Sequence, residues 1–301
     1  MMYAAKQLEE QGYSVSIAAA GGSAHLPGMT ASETLVPVVG LPVKTTSLAG
    51  IDSLYSIIQM PEGIPVGSVG IGQDESAAIL AAQIAYVDDT SVRNSIREKR
   101  GLEGRLPSFL EITNSVGIIK PVGFDFDNEK YAPFINFLES LGLTHEEYTL
   151  SCVDAKAARG VLEELELKGV GAIIAMGYVK DDKSTNHFPG HIAKHTDVPT
   201  IGLPLAEGCV IRNAYINGDI FHDMLAENGD ECDPIGYPLA GMGINRATNA
   251  ALYAAQIIGL TNPDVQEKVR SYRASLSESV KRKRELLEKI GVNEYLKTMD
   301  A

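Results

Sequence analysis

The residues of this 301-residue chain best suited to chemistry are AGGSAHLPGM, Ala20 to Met29, which follow a short apolar run from Val15 to Ala20. Gly21 and Gly22 let the backbone adopt positive φ and come close to a ligand. Consecutive N–H groups in such a turn can hold a carboxylate, carbon dioxide or phosphate. A histidine at this place, His25, can donate a proton or clamp a polar group. A second reading stands beside this one: a helix-start turn in which His25 only caps backbone groups. Composition leaves both open.

The loop has a worn copy, NHFPGH, at Asn186 to His191. His25, Pro27, Gly28, Pro37, Gly40 and Pro42 recur as His187, Pro189, Gly190, Pro199, Gly202 and Pro204, each 162 residues later. The chain is a tandem duplication whose halves differ in chemistry. Gly12 matches Gly169 at an offset of 157, and Gly63, Pro65, Gly70 and Gln83 match Gly236, Pro238, Gly243 and Gln256 at 173. The second copy therefore carries insertions before its loop and after its Pro204 strand, as surface loops tolerate.

The copy also carries His187, His191 and His195, spaced by four, with Asp197 after them. On one continuous helix this spacing would stack three imidazoles on a face, as a metal triad needs. Pro189-Gly190 turns the chain between the first two, so the set reads as polar residues on a helix surface and no metal is assigned.

The elements that must position these residues are plainest in the second half. Val116 to Ile119 is expected to be a buried strand, Asn128 to Leu141 a helix stopped by Gly142, Glu147 to Ser151 a strand and Ala155 to Lys168 a helix stopped by Gly169. Strands at Gly171 to Met176 and Val198 to Leu203 follow, then a small-residue helix from Ala247 to Leu260. Strands alternating with such helices indicate βαβ units and a parallel sheet covered on both faces. Residue 1 falls opposite residue 158, so the first copy lacks the counterpart of Ser115 to Ala157: an opening strand, helix and second strand. Its sheet would expose an edge. The chain is expected to be a fragment, or to receive that layer from another chain. The expected divisions are a first repeat at 1–105, a linker at 106–114, a second repeat at 115–262 and a helical tail at 263–301.

A net charge of −13 argues against nucleic acid or an anionic membrane as partner. No apolar run approaches the roughly 18–20 residues that span a bilayer, and MMYAAKQLEEQGY is an amphipathic helix rather than a signal peptide. Three cysteines without metal-type spacing, Cys152, Cys209 and Cys232, suit a reducing cytoplasm.

AGGSAHLPGM, PVVGLPV (Pro37 to Val43), GIDSLYSIIQMPEGIPVGSVGIG (Gly50 to Gly72) and AAILAAQIA (Ala77 to Ala85) together resemble the N5-carboxyaminoimidazole ribonucleotide mutases of purine biosynthesis, from about Tyr3 to Ala85. The resemblance implies a flavodoxin-like three-layer αβα fold and an octameric assembly, here pseudo-octameric. It also implies active sites at subunit contacts, with no metal and no organic cofactor. The implied substrate is a carboxylated aminoimidazole ribonucleotide. Its carbon dioxide is released from the exocyclic nitrogen and recaptured by the ring carbon while a histidine handles the proton.

By that resemblance, Gly21, Gly22, Ser23, Ala24, Leu26 and Pro27 would hold the carboxylate or carbon dioxide, with His25 assisting. Gln59, Met60 and Pro61 would reach the site of a neighbouring subunit. The family's GSxSD phosphate loop and SAHRTP loop, source of the main catalytic histidine, fall in the stretch the first copy lacks. In the second copy the first of these reads Gly123-Phe-Asp-Phe-Asp127, keeping Gly123 and Asp127 only. The other reads Ser151-Cys-Val-Asp154, with Val153 in the histidine's place and Asp154 in the arginine's. Valine transfers no proton and aspartate repels phosphate. The second repeat, including His187, is thus expected to be catalytically dead, and the chain inactive or weak alone. Two alternatives remain: a non-catalytic scaffold subunit, and a related nucleotide carboxylase.

Overall fold

The structure is a computed structural model that describes residues 2–46, 48–123, 128–151, 155–178, 188–205, 238–292, 294 and 295. The first half runs α1 (Met2–Glu10), β1 (Ser16–Ala20), α2 (Leu26–Glu33), β2 (Val38–Pro42), α3 (Ile51–Ile58), β3 (Gly67–Ser68), α4 (Asp74–Ala85) and α5 (Thr90–Lys99). The second runs β4 (Ser115–Pro121), α6 (Asn128–Ser140), β5 (Thr144–Leu150), α7 (Ala155–Leu167), β6 (Ala172–Tyr178), α8 (Phe188–Lys194), β7 (Thr200–Leu205), β8 (Leu239–Gly241), α9 (Ala247–Ile258) and α10 (Pro263–Ile290).

Among the described residues eight strands join one sheet in the order β1-β2-β3-β8-β7-β6-β4-β5. Every neighbouring pair is parallel except β3 and β8, which meet antiparallel at Ser68 and Gly241. Numbered within its own half, the second copy has strand order 2-1-3-4-5, the flavodoxin-like winding. The first half contributes only the counterparts of strands 3, 4 and 5.

The duplication inferred from sequence offsets reappears as identical register. Ser16 pairs with Val38 as Ile173 pairs with Thr200, and Gly40 with Ser68 as Gly202 with Gly241. These are the offsets 157, 162 and 173. The same holds for single hydrogen bonds: the N–H of Gly72 donates to Pro42 O and that of Asn245 to Pro204 O, both at 2.9 Å.

One apolar layer is continuous across both halves. Val39 and Val69 share it with Ile118, Ile174 and Ile201, beneath helices that contribute Leu80, Leu138, Tyr253 and Val269. On the other face Ile119, Ile173 and Ala175 meet α7 and α8, and separately Ala18, Val38 and Val66 meet α2 and α3. Alternating strand side chains thus fill two faces, giving the three-layer αβα arrangement.

α10 ties the halves together. Asn262 caps it by accepting from the N–H groups of Asp264 and Val265, and Pro263 opens its first turn. Tyr272 then meets Phe137 edge-on at 4.9 Å, Arg270 pairs with Glu9 at 3.0 Å, and Arg273 donates to Thr34 O. Beyond Leu276 the helix is largely exposed. Among the described residues no helix is long and apolar enough to cross a membrane.

β5 begins three residues before the expected start. Thr144, His145 and Glu146 lack the apolar alternation that marks a strand, yet this edge strand pairs with β4 from its first residue.

Candidate functional site

β1 delivers the chain into Gly21 and Gly22 at the carboxyl end of the first half's sheet, the position where open α/β sheets bind ligands. Gly22 takes φ +65°, and a side chain there would meet empty space, so backbone conformation is what requires glycine. Its N–H is committed to Ser53 Oγ at 2.9 Å, and Ser53 in turn donates to Val43 O at 2.9 Å. Ser56 donates to Gly22 O at 3.4 Å. The first turns of α3 therefore hold the glycine pair rigidly, and the N–H of Gly22 is spent within the protein.

The donors left are further along. No described residue accepts from the N–H groups of Ser23, Ala24 or His25. They lead into the amino end of α2, where orphan N–H groups and the helix dipole favour an anion. His25 occupies the N-cap position, but its side chain makes no capping hydrogen bond. Its ring is exposed beside those donors, so the capping turn considered above is not what the structure shows.

Gln59, Met60 and Pro61 follow α3. Leu26, Ala24 and Met60 belong to one apolar cluster, which brings the two sequence-identified segments together. A β-carbon at Gly28 would overlap Met60 Sδ, so glycine at this helical position is explained by a tertiary contact. Pro61 to Gly63 is bracketed from the second half: Asn249 donates to Pro61 O at 3.0 Å and accepts from the N–H of Gly63 at 2.8 Å. Thr248 donates to Glu62 Oε1 at 2.7 Å. The segment thus lies between the halves, with Met60 on α2 and Pro61 to Gly63 on α9. Gln59 is exposed.

Of the altered second-copy positions, Gly123 follows β4 with φ +80° and Ser151 follows β5. Asp127, Val153, Asp154 and His187 lie outside the described residues. Because β3 and β8 are antiparallel, the carboxyl ends of β4 and β5 open at the opposite end of the sheet from Gly21 to Pro27. One chain cannot bring these two sets of loops to one ligand.

The histidine cluster is divided. His191 and His195 meet edge-on, ring centroids 4.8 Å apart. Burial and the nearby charges of His191, Arg159, Lys194 and Arg100 push His195 down to about 4. Asp197 is no surface residue: it is fully buried, accepting from Arg93 at 2.5 Å and Arg97 at 2.6 Å. Arg97 also pairs with the buried Glu166 at 2.6 Å, and Arg100 donates to Thr196 O and Ala193 O. α5, within the expected first repeat, thereby inserts its arginines into the second half. The Arg93 and Arg97 spacing of four was the available sequence signal.

Sequence reasoning also passed over Ser53, Ser56, Thr248 and Asn249, whose roles depend on contacts far along the chain.

A family model described as AIR carboxylase matches residues 1–103 and 115–279. The N5-carboxyaminoimidazole ribonucleotide mutase of Escherichia coli (strain K12) is 54% identical over 98 residues, 32% of this chain and 58% of that protein. The enzyme of the same name from Thermotoga maritima is 52% identical over 94 residues, covering 31% and 55%. That from Haemophilus influenzae is 60% identical over 82 residues, covering 27% and 50%. The chain spans about half the length of the curated relatives it matches. Among solved structures, the crystal structure of Treponema denticola PurE is 19% identical, with TM-score 0.44, covering 57% of this chain and 98% of that one.

Proposed function

The chain belongs to the AIR carboxylase family, and on that premise we propose that it carries half of an N5-carboxyaminoimidazole ribonucleotide mutase site. In this reading it acts in purine biosynthesis, in the cytoplasm and within an oligomer. Two mutase-like repeats, 1–105 and 115–262, are joined by 106–114 and followed by the tail 263–301. The observation that carries it is the meeting of Ala24 and Leu26, from the Gly21 to Pro27 loop, with Met60 in one apolar cluster.

The reaction breaks the bond from the exocyclic nitrogen to the carboxylate carbon and releases carbon dioxide. The ring carbon then attacks that carbon dioxide and loses its own proton, so that overall one proton passes from ring carbon to nitrogen. The free N–H groups of Ser23, Ala24 and His25 at the start of α2 suit the carboxylate or trapped carbon dioxide. Ala24, Leu26 and Met60 supply the apolar wall that keeps it from water. His25 stands beside it as an assisting polar group. The residues for the main proton transfer and for the phosphate are absent from the first repeat. Val153 and Asp154 replace them in the second, which acts as scaffold.

No metal and no organic cofactor enter this reading; its ligands are the aminoimidazole ribonucleotide and carbon dioxide. Following interconversion of the two carboxylated ribonucleotides by residues 1–301 tests it. Turnover at least about 1,000-fold below a single-repeat relative is expected, since general acid–base catalysis is worth that order. Comparable turnover would overturn it.

A further inference from the structure

Two equivalent helix contacts join the halves. α5 of the first half meets α7 and the end of α8, and α10 of the second meets α1 and the end of α2. Arg97 and Arg100 match Arg270 and Arg273 at the offset of 173. Arg97 pairs with Glu166 at 2.6 Å as Arg270 pairs with Glu9 at 3.0 Å, and Thr196 donates to Glu166 as Thr34 donates to Glu9. Arg100 donates to Lys194 O at 3.1 Å as Arg273 donates to Ser32 O at 2.6 Å.

The contacts differ in what lies beside these arginines. α10 runs on as helix past Leu276, while α5 stops at Lys99 and the chain turns at Gly101, φ +66°. A cavity of about 120 Å³ opens there, lined by Arg97, Arg100, Arg159, Lys194 and His195. In the first copy Met2, Ser32 and Glu33 stand where the second has Arg159, Lys194 and His195. Glu33 pairs with Lys6 at 3.3 Å, and the matching residues, His195 and Glu163, reverse the signs. Three carboxylates also border the cavity: Glu166 is held by Arg97 and Thr196, whereas Glu103 and Glu163 are exposed, with Glu103 beside Arg159 at 3.1 Å. Arg100, Lys194 and His195 are half-buried. Burial, His191 and the cations Arg159, Lys194 and Arg100 push the His195 ring down, to about 4. The field at this wall therefore favours negative charge.

We propose that this cavity binds a dianionic oxyanion, orthophosphate or the phosphate of a small phosphomonoester, through Arg159, Lys194 and His195. Its volume is well below the roughly 300–1,000 Å³ of clefts that enclose drug-sized ligands, so the phosphate enters and any organic remainder stays outside. The site is separate from the altered second-copy loops. His195 leads into the amino end of β7, whereas Gly123 and Ser151 follow the carboxyl ends of β4 and β5, and these strands run parallel. Because α5 belongs to the first half and α7 and α8 to the second, the bound anion bridges the halves.

The proposal goes beyond the catalytic reading and does not rest on it. Residues 1–301 with isotope-labelled histidine are titrated by NMR with inorganic phosphate and, separately, with ribose 5-phosphate. A saturable change at the His195 ring is expected, with its pKa raised by about 1 unit or more. Arg159→Ala and Lys194→Ala should each weaken binding about tenfold, the scale of one charge-assisted hydrogen bond. Lys194→Arg should keep most of the affinity, and Lys6→Ala, on the matching surface of the first half, should leave it unchanged. Tighter binding of one probe than the other tells free phosphate from a phosphomonoester as the occupant. A response that does not saturate, or that the Arg159→Ala and Lys194→Ala proteins share undiminished with the parent, would overturn the proposal. So would saturation at His25 with His195 unchanged, which would place the anion at the start of α2 and leave the catalytic reading standing.

Discussion

Ser68 and Gly241 pair with each other across the antiparallel junction of β3 and β8, and they are the same position of the two halves, 173 residues apart. A pair of equivalent residues facing each other marks a local twofold axis. The chain has thus built internally what a symmetric dimer builds from two copies of one surface. The axis sets the carboxyl ends of the two half-sheets facing opposite ways, which is why the second half cannot complete the first half's site within one chain.

The buried arginines should be the strongest link between the halves. Arg93→Ala leaves Asp197, fully buried, without its 2.5 Å partner. Breaking such a pair typically costs about 3–5 kcal/mol. Urea unfolding should show a loss of that order. Arg159→Ala, which removes an exposed pair with Glu103 at 3.1 Å, should cost under about 1 kcal/mol.

Asn249 should position the Gln59 to Gly63 segment from across the axis. Asn249→Ala removes the donor to Pro61 O and the acceptor for the N–H of Gly63, a loss of about 1–3 kcal/mol. Exchange of the Gly63 amide should accelerate in the variant. Unchanged exchange would show that the second half does not hold this segment.

Gly28→Ala should displace Met60 and cost about 1–3 kcal/mol, despite alanine's better helix propensity. Combining it with Met60→Ala should recover part of that loss. A double-mutant cycle measured by urea unfolding should give a coupling of about 1 kcal/mol or more, and additivity would refute the contact.

His195 gives the pH dependence a sign. Its folded pKa, about 4, lies below the reference of 6.5, so unfolding takes up a proton between those values. Its contribution to stability is complete above pH 6.5 and falls as pH drops toward 4. His195→Gln should flatten the stability profile in that window relative to the parent, as read by urea unfolding from pH 4.5 to 7.5.

Repetition made most of the fold legible. Offsets of 157, 162 and 173 in glycine and proline became strand registers, because those residues mark strand ends and turns. The Gly21 to Pro27 loop and Gln59 to Pro61 were legible as family segments. Their meeting through Met60 and Gly28 was not, since no local pattern encodes a contact 32 residues apart. Asp197 was expected among polar residues on a helix surface, and it is buried against the arginines of α5. Charge alone does not distinguish an exposed face from a buried pair whose partner is 104 residues away.

The most direct test of the central claim, that residues 1–301 hold one half of a mutase site, is restoration of the other half. The part of the Escherichia coli mutase outside the matched 98 residues is fused ahead of residue 1, and turnover is measured beside residues 1–301. A gain of about three orders of magnitude is expected, the scale of a recovered acid–base group. A fusion that unfolds cooperatively in urea, but which turns over no faster than residues 1–301, would contradict the account.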